Sequence, residues 1–323
     1  MLDLFFIVVG LTGLVWSSDK FVEGAAAIAN HAGMPPLLIG MTIVSLGTSA
    51  PEIVVSLMAS LSGSGELAVG NALGSNITNV GLVLGVTLII RAIAIDASAT
   101  KRELPQMLIV TLLAGALMVD GSLSATDGAV LLSVLVLFLV LLARRGDTET
   151  SQTTEPPTLP VAKAWGVFTV GLVLLVLSSR ALVFGAVNIA TALGVSELVI
   201  GLTIVAIGTS LPELAASVMS ALKGHADIAV GAIVGSNVFN LLVVLAIPGI
   251  FGPLSLNPSV MSRDWPVTLL TAGVLMLLAA LAFKRSEPSS RGSNELGRVS
   301  GVLLVTIYTT YMGILIFYPD FAL

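Results

Sequence analysis

An internal repeat constrains this chain more strongly than any other feature of its sequence. A shift of 161 residues places the segment GMTIVSLGTSAPE, which ends at Glu52, on GLTIVAIGTSLPE, which ends at Glu213. The same shift places GSNITN, which ends at Asn79, on GSNVFN, which ends at Asn240, and twenty of the forty columns from 40 to 79 are identical. A shared apolar bias would match Leu to Val, but it would not reproduce Thr-Ser-x-Pro-Glu. The sequence therefore predicts two copies of one structural unit.

The environment of these units follows from the long apolar runs. Of the 323 residues, 56% are hydrophobic and 10% are charged, whereas a soluble domain carries about 25% charged residues. A bilayer core about 30 Å thick needs roughly 20 apolar residues per helical span. The sequence therefore predicts an all-α membrane protein with ten spans: 3–30, 36–62, 66–90, 103–120, 125–143, 162–193, 197–222, 227–251, 264–283 and 299–318.

The predicted domains are a first five-helix repeat over 1–145, a polar, Pro-containing cytoplasmic linker over 146–160, and a second five-helix repeat over 161–323. Because each repeat has an odd number of spans, the second enters the membrane upside down relative to the first. That is the inverted-repeat plan of secondary transporters, in which the substrate site lies near the bilayer midplane.

The orientation follows from the basic residues, which favour cytoplasmic loops. With both termini outside, eleven Lys and Arg residues fall on the inner side and only Arg263 falls outside, when Lys20 and Arg180 within helices are left uncounted. We therefore expect an outside N-terminus and an outside C-terminus.

Two acidic residues within apolar spans require a chemical explanation. Glu52 and Glu213 each lie near the middle of a span, where an acidic group costs at least ~2.5 kcal/mol. The central parts of spans 2, 3, 7 and 8 contain no Lys or Arg that could pair with them. A bound cation is the remaining way to compensate the two carboxylates.

Oxygen-bearing residues surround both glutamates. Pro51 and Pro212 are expected to break their helices, which would free backbone carbonyls. Ser75 and Asn79, like Ser236 and Asn240, share one helix face at a spacing of four residues. The complete set of candidate metal ligands is Glu52, Glu213, Thr48, Ser49, Thr209, Ser210, Asn79, Asn240, Ser75, Ser236, and the carbonyls near Ser45 and Ala206. Such a set suits a hard cation, above all Ca²⁺.

Other function classes lack their sequence signals. The chain has no cysteine for a disulfide or a thiolate, and its net charge of −5 gives no support to nucleic-acid binding. It has no nucleotide-binding GxxxxGK[ST], no His-x-x-x-His pair and no Ser/Lys dyad. We therefore expect neither an enzyme nor a bound cofactor, and the expected partners are the lipid bilayer and the transported ions.

At these two motif blocks the sequence resembles the sodium/calcium antiporters of the cation/calcium exchanger superfamily, especially its small bacterial inner-membrane members. The resemblance covers essentially the whole chain. It implies ten helices, cation sites built from helices 2, 3, 7 and 8, and sodium-driven calcium export. It also implies alternating access by sliding of helices 1 and 6, and a location in the inner membrane.

Carried over by position, the resemblance implies that Glu52 and Glu213 hold calcium and also contact sodium. The hydroxyl and carbonyl groups named above would complete the calcium and sodium positions. Some family members, including potassium-dependent ones, have Asp where this chain has Asn240, so potassium co-transport is disfavoured. Proton/calcium exchangers of the superfamily usually show Gly-Asn-Ala-x-Glu, whereas both motifs here read Gly-Thr-Ser.

The sequence thus predicts a Na⁺/Ca²⁺ antiporter that works by alternating access. An exchanger of protons or other divalent cations on the same scaffold stays open as an alternative. A cation channel lined by carboxylates is a further one, although the inverted repeat argues against it.

Overall fold

The computed structural model describes residues 2–95, 99–146, 159–194, 206–284 and 295–317. In chain order, its α-helices are α1 Leu2–Ala32, α2 Pro36–Ile39, α3 Ser45–Thr48, α4 Ala50–Leu61, α5 Gly65–Thr78, α6 Gly85–Ile90, α7 Leu104–Met118, α8 Ala125–Gly146, α9 Val161–Ala192, α10 Ala206–Thr209, α11 Leu211–Leu222, α12 Ala226–Phe239, α13 Ala246–Ile250, α14 Trp265–Lys284 and α15 Arg298–Phe317. Four two-residue strands complete the regular structure: β1 Ile93–Ala94, β2 Ser122–Leu123, β3 Leu254–Ser255 and β4 Glu295–Leu296.

The predicted all-helical membrane fold is confirmed. Within the described ranges, seven helices are long and apolar enough to cross a membrane, and α2 to α4 form an eighth, bent span. The fourth span is α7 with the helical turn before it, and the seventh ends in α11. The predicted start of the seventh span, 197–205, and most of the predicted linker, 147–158, lie outside the described residues.

Several spans contain π-helical segments, in which the backbone is wound more widely than in an α-helix. They cover Gly40–Val44, Asn79–Leu84, Ala99–Glu103, Asn240–Val244 and Val260–Asp264. The segments that begin at Asn79 and Asn240 are equivalent under the shift of 161 residues, as are those that begin at Ala99 and Val260. The repeat in the sequence is therefore also a repeat of local backbone distortions, which frequently mark functional sites.

The two small sheets show which loops lie on the same side of the bundle. β1 pairs antiparallel with β4, and β2 pairs antiparallel with β3. In the ten-span topology β1 and β4 belong to loops on one side of the membrane, while β2 and β3 belong to loops on the other. Loops that the topology places on the same side are thus the loops that pair.

The centre of the bundle is formed by the helices that carry the GSN motifs. Every residue of α12 from Ile228 to Phe239 is buried, and this helix packs against α2, α3 and the π-helical segment between them. The two longest helices, α1 and α9, pack against each other, with the rings of Phe21 and Phe168 4.9 Å apart. The site residues therefore lie in the bundle centre, and the long α1–α9 pair flanks them.

Candidate functional site

Both glutamates lie in the first turn of a half-helix at the centre of the bundle. The second span bends by 45° between α3 and α4, and Pro51 occupies an early position in α4, where its missing N–H breaks no helical hydrogen bond. Glu52 is the next residue. In the second repeat, Pro212 and Glu213 occupy the same positions in α11. The predicted helix breaks therefore place each carboxyl group at a helix N-terminus, which favours negative charge.

The serine before each half-helix occupies the N-cap position without capping the helix through its side chain. The Ser49 hydroxyl instead lies 3.4 Å from Oε1 of Glu213, to which it donates a hydrogen bond. Glu52 lies close enough to Glu213 for the charges of the two carboxyl groups to interact. The motifs from the two repeats thus meet, as the sequence predicts.

The asparagines of the two GSN motifs also contact each other. The Nδ2 atom of Asn76 donates to the backbone carbonyl of its equivalent, Asn237, at 3.1 Å. α11, which carries Glu213, packs against the π-helical segment that begins at Asn79, and α4, which carries Glu52, packs against the one that begins at Asn240. Each glutamate-bearing helix therefore packs against the asparagine segment of the other repeat.

The site contains buried polar atoms that lack hydrogen-bond partners among the described residues. Glu52 is 1% exposed and Glu213 is 4% exposed, and neither Oε2 atom has a partner. The same is true of both side-chain polar atoms of Asn79 and of Asn240, and of the hydroxyls of Ser210 and Ser236. Leaving one buried polar group unpaired costs about 1–3 kcal/mol. A cluster of such groups is therefore expected where a bound ligand supplies the missing interactions.

The remaining predicted ligands lie in the same region. Ser75 is buried in α5, one helical turn before Asn79. The carbonyl of Ser45 accepts hydrogen bonds from the amide of Ser49 at 2.9 Å and from the Thr48 hydroxyl at 3.4 Å, so a cation there would displace the longer of the two. Ala206 begins α10 and Thr209 ends it. In the described residues no group of three or more His, Cys, Asp or Glu side chains is found, so a cation site must draw on hydroxyl, amide and carbonyl oxygens.

One supporting residue was absent from the prediction. Asn71 donates from Nδ2 to the backbone carbonyl of Glu52 at 3.0 Å and to the hydroxyl of Ser56 at 3.1 Å. It thereby fixes the first turn of α4 against α5. The repeat could not reveal Asn71, because Ala232 occupies the equivalent position.

A cavity of about 350 Å³ borders the site on one side. Its described lining includes Pro51, Thr209, Pro212 and, from α9, Ser179 and Arg180. On the equivalent opposite side, α1 packs directly against α11, and Ser18, Val22 and Ala216 are buried there. Among the described residues, the site therefore adjoins a cavity on one face and close helix packing on the other.

Two inverted helical repeats that enclose paired carboxylates, with access from one face, define a membrane transporter for cations. This chain belongs to the family of sodium/calcium exchanger proteins, whose family model matches residues 2–144 and 163–317.

Individual relatives agree with this membership. The chain is 44% identical to a putative antiporter, CaxA, of Alkalimonas amylolytica, over 96% of this chain and 97% of the relative. It is 41% identical to the inner membrane protein YrbG of Escherichia coli, over 96% of this chain and 95% of that protein. Among solved structures, the sodium-calcium exchanger NCX_Mj, soaked with Na⁺ and Ca²⁺, matches with a TM-score of 0.82 and 32% identity over 97% of this chain and 98% of that one.

Proposed function

We propose that this protein is a Na⁺/Ca²⁺ antiporter in which Glu52 and Glu213 bind the two ions alternately. The observation that carries the proposal is the buried pair of carboxylates, one from each repeat, whose Oε2 atoms lack partners among the described residues. Membership of the exchanger family supports it, as does the 28% identity to the sodium/calcium exchanger MaX1 of Methanosarcina acetivorans over 96% of this chain and 97% of that protein.

The charges of the site supply the coupling. With two carboxylates, one Ca²⁺ leaves the site neutral, and two Na⁺ ions do the same. Both ions cannot occupy the same carboxylates, so entry of one requires departure of the other. A third Na⁺, as the family resemblance implies, would leave the site with one positive charge and make the exchange electrogenic.

Thr48, Ser49, Thr209 and Ser210, with the carbonyls of Ser45 and Ala206, are the further proposed ligands around the glutamates. Ser75, Asn79, Ser236 and Asn240 are proposed to provide the flanking monovalent positions. The buried, partnerless polar atoms of Asn79, Ser236 and Asn240 support this part of the assignment.

The proposed membrane arrangement has residues 1–145 and 161–323 as the two repeats, residues 146–160 as a cytoplasmic linker, and both termini outside the inner membrane. The basic residues of the loops support the orientation, and the relative in Escherichia coli named an inner membrane protein supports the location.

The test of the function is ion exchange in proteoliposomes. We expect vesicles loaded with Na⁺ and diluted into Na⁺-free buffer to accumulate labelled Ca²⁺, and vesicles with equal Na⁺ on both sides to accumulate none. Uptake driven by a pH gradient in the absence of Na⁺ would instead identify a proton exchanger. Ca²⁺ flux that needs no counter-ion would identify a channel, and either result would contradict the proposal.

Substitution of Asn240 by Asp tests the monovalent positions. The variant adds a third buried carboxyl group, and a buried charge that is left unpaired costs about 3–5 kcal/mol. We therefore expect the KM for Ca²⁺ to change by at least about tenfold and to acquire a dependence on pH or K⁺, measured as initial uptake rates. Asn257→Asp, at an exposed loop residue that accepts hydrogen bonds from Ser259, is the control and should transport like the unmodified protein. Wild-type kinetics in the Asn240→Asp protein would remove this residue from the site.

A further inference from the structure

The two faces of the exchanger carry opposite charges at equivalent positions. The shift of 161 residues places Asp19 of α1 on Arg180 of α9, and the preceding residues, Ser18 and Ser179, are identical. An inverted repeat puts such a pair on opposite sides of the site, one beside each route of access. The symmetry of the scaffold is therefore broken by a reversal of charge.

Arg180 lies in the route that is open in this structure. Its side chain is exposed and lines the cavity together with Pro51, Thr209 and Pro212. These residues adjoin Glu52, Ser210 and Glu213, so the cavity reaches the wall of the site. Within the described part of the chain, no carboxylate pairs with the Arg180 guanidinium group, and its charge acts on whatever enters the cavity.

Asp19 lies on the closed side and is neutralised there. Its carboxylate is 2.7 Å from Nζ of Lys223 and 3.6 Å from Nζ of Lys20, and Lys223 also donates to the Asp19 backbone carbonyl at 2.9 Å. Lys223 follows α11 directly. Opening this face requires α1 and α11 to separate, which would break the pair with Lys223. Because Lys20 forms its shorter pair with Glu23, at 2.8 Å, Asp19 would then carry the uncompensated negative charge beside the entering ions.

We infer that Arg180 and Asp19 set the ion selectivity of the two faces: the face of Arg180 disfavours Ca²⁺ relative to Na⁺, and the face of Asp19 favours Ca²⁺. A fixed charge changes the local concentration of an ion by a factor that depends exponentially on the charge of the ion. The factor for Ca²⁺ is therefore the square of the factor for Na⁺. A unit charge acting over roughly 10 Å in a partly aqueous cavity gives about threefold for Na⁺ and about tenfold for Ca²⁺.

The consequence is an exchanger with unequal affinities on its two faces. Calcium binds more weakly where Arg180 lines the route, so release of Ca²⁺ is faster there at a given concentration. In the orientation proposed above, that face is the outer one, which suits export. The charges alter affinities and rates, whereas the direction of net transport still follows the ion gradients. The inference rests on the proposed function only for the identity of the two ions.

The first test measures the charge of the cavity without any transport. The chain contains no cysteine, so Val55→Cys, at a residue in the cavity wall, provides a single thiol. The quantity measured is the rate of modification by a negatively charged thiosulfonate reagent divided by the rate with a positively charged one. We expect this ratio to be higher for the thiol in the cavity than for a thiol on an exposed loop. Adding Arg180→Gln should lower that ratio at least about threefold, and adding Arg180→Lys should preserve it. An unchanged ratio in the Arg180→Gln protein would overturn the inference, even if the protein exchanges ions.

The second test measures exchange. We expect Arg180→Gln to lower the KM for Ca²⁺ on the face of Arg180 by about the square of its effect on Na⁺, with little change on the other face. Lys163→Gln removes a positive charge from the same helix outside the cavity lining and should leave the KM values for both ions on the face of Arg180 unchanged. Equal effects on the two ions, or on the two faces, would indicate a merely structural role for Arg180. Absence of Na⁺/Ca²⁺ exchange in the unmodified protein would count against the proposed function alone, since the thiol measurement stands without it.

Discussion

Replacing either Glu52 or Glu213 by Gln is expected to abolish calcium exchange. The amide keeps the size of the side chain and removes the negative charge that compensates half of the Ca²⁺ charge. A buried charge that loses its partner costs about 3–5 kcal/mol, or at least about a hundredfold in equilibrium affinity. We expect Na⁺-driven uptake of labelled Ca²⁺ to fall to the level of protein-free vesicles in each single variant.

The design of this experiment separates loss of function from loss of fold. Burying an amide costs less than burying a carboxylate without a cation, so both variants should stay monodisperse in detergent and unfold at temperatures no lower than the unmodified protein. Glu66→Gln, at an exposed residue in the first turn of α5, should exchange normally. Near-normal Ca²⁺ uptake by either Glu52→Gln or Glu213→Gln would refute the assignment of the site.

The prediction that the two motifs meet in the bundle rests on the repeat together with the cost of burying charge. Apolar flanks place Glu52 and Glu213 in the membrane, and two equivalent acids without Lys or Arg neighbours need a common cation. Pro51 and Pro212 indicate where the spans break, because a proline lacks the N–H that an unbroken helix would use. The structure adds the contact between Ser49 and Glu213, which joins the two halves of the motif.

Other features could not be predicted because they depend on contacts distant in sequence. The π-helical segments that begin at Asn79 and Asn240 lie within the continuous apolar runs of their spans, so the sequence carries no signal of where the winding changes. Each sheet pairs a two-residue strand of one repeat with a two-residue strand of the other, such as Ile93 with Leu296, and strands this short leave no alternating pattern. Arg180 did leave a signal, a positive charge in the middle of an apolar helix, but its place in the cavity depends on how α9 packs.

Four glycines hold the long α1 and α9 helices together in a symmetric contact. A Cβ atom on Gly171 would lie 2.6 Å from the backbone nitrogen of Phe21, and one on Gly10 would lie 2.6 Å from that of Leu182. In the same way, a Cβ atom on Gly24 would lie 2.5 Å from the backbone nitrogen of Phe168, and one on Gly185 would lie 2.5 Å from the backbone oxygen of Asp3. Gly10 is equivalent to Gly171, Gly24 to Gly185, and Phe21 to Leu182 under the shift of 161 residues. The helices therefore meet backbone to backbone at equivalent points on both sides of their crossing.

Enlarging a glycine in this contact is expected to destabilise the whole protein. Alanine favours a helix over glycine by about 0.8–1.0 kcal/mol, but the added carbon meets backbone, which cannot move aside as a side chain can, and overpacking costs about 1–3 kcal/mol. We expect Gly171→Ala to lower the thermal unfolding temperature in detergent and Gly171→Leu to prevent recovery of folded protein. Gly166, on the same helix, is exposed and has nothing within 4 Å of a Cβ atom, so Gly166→Leu should fold and exchange normally. If Gly171→Leu proved as stable as Gly166→Leu, α1 and α9 could not contact each other backbone to backbone at Gly171. That result would contradict the symmetric helix contact described here.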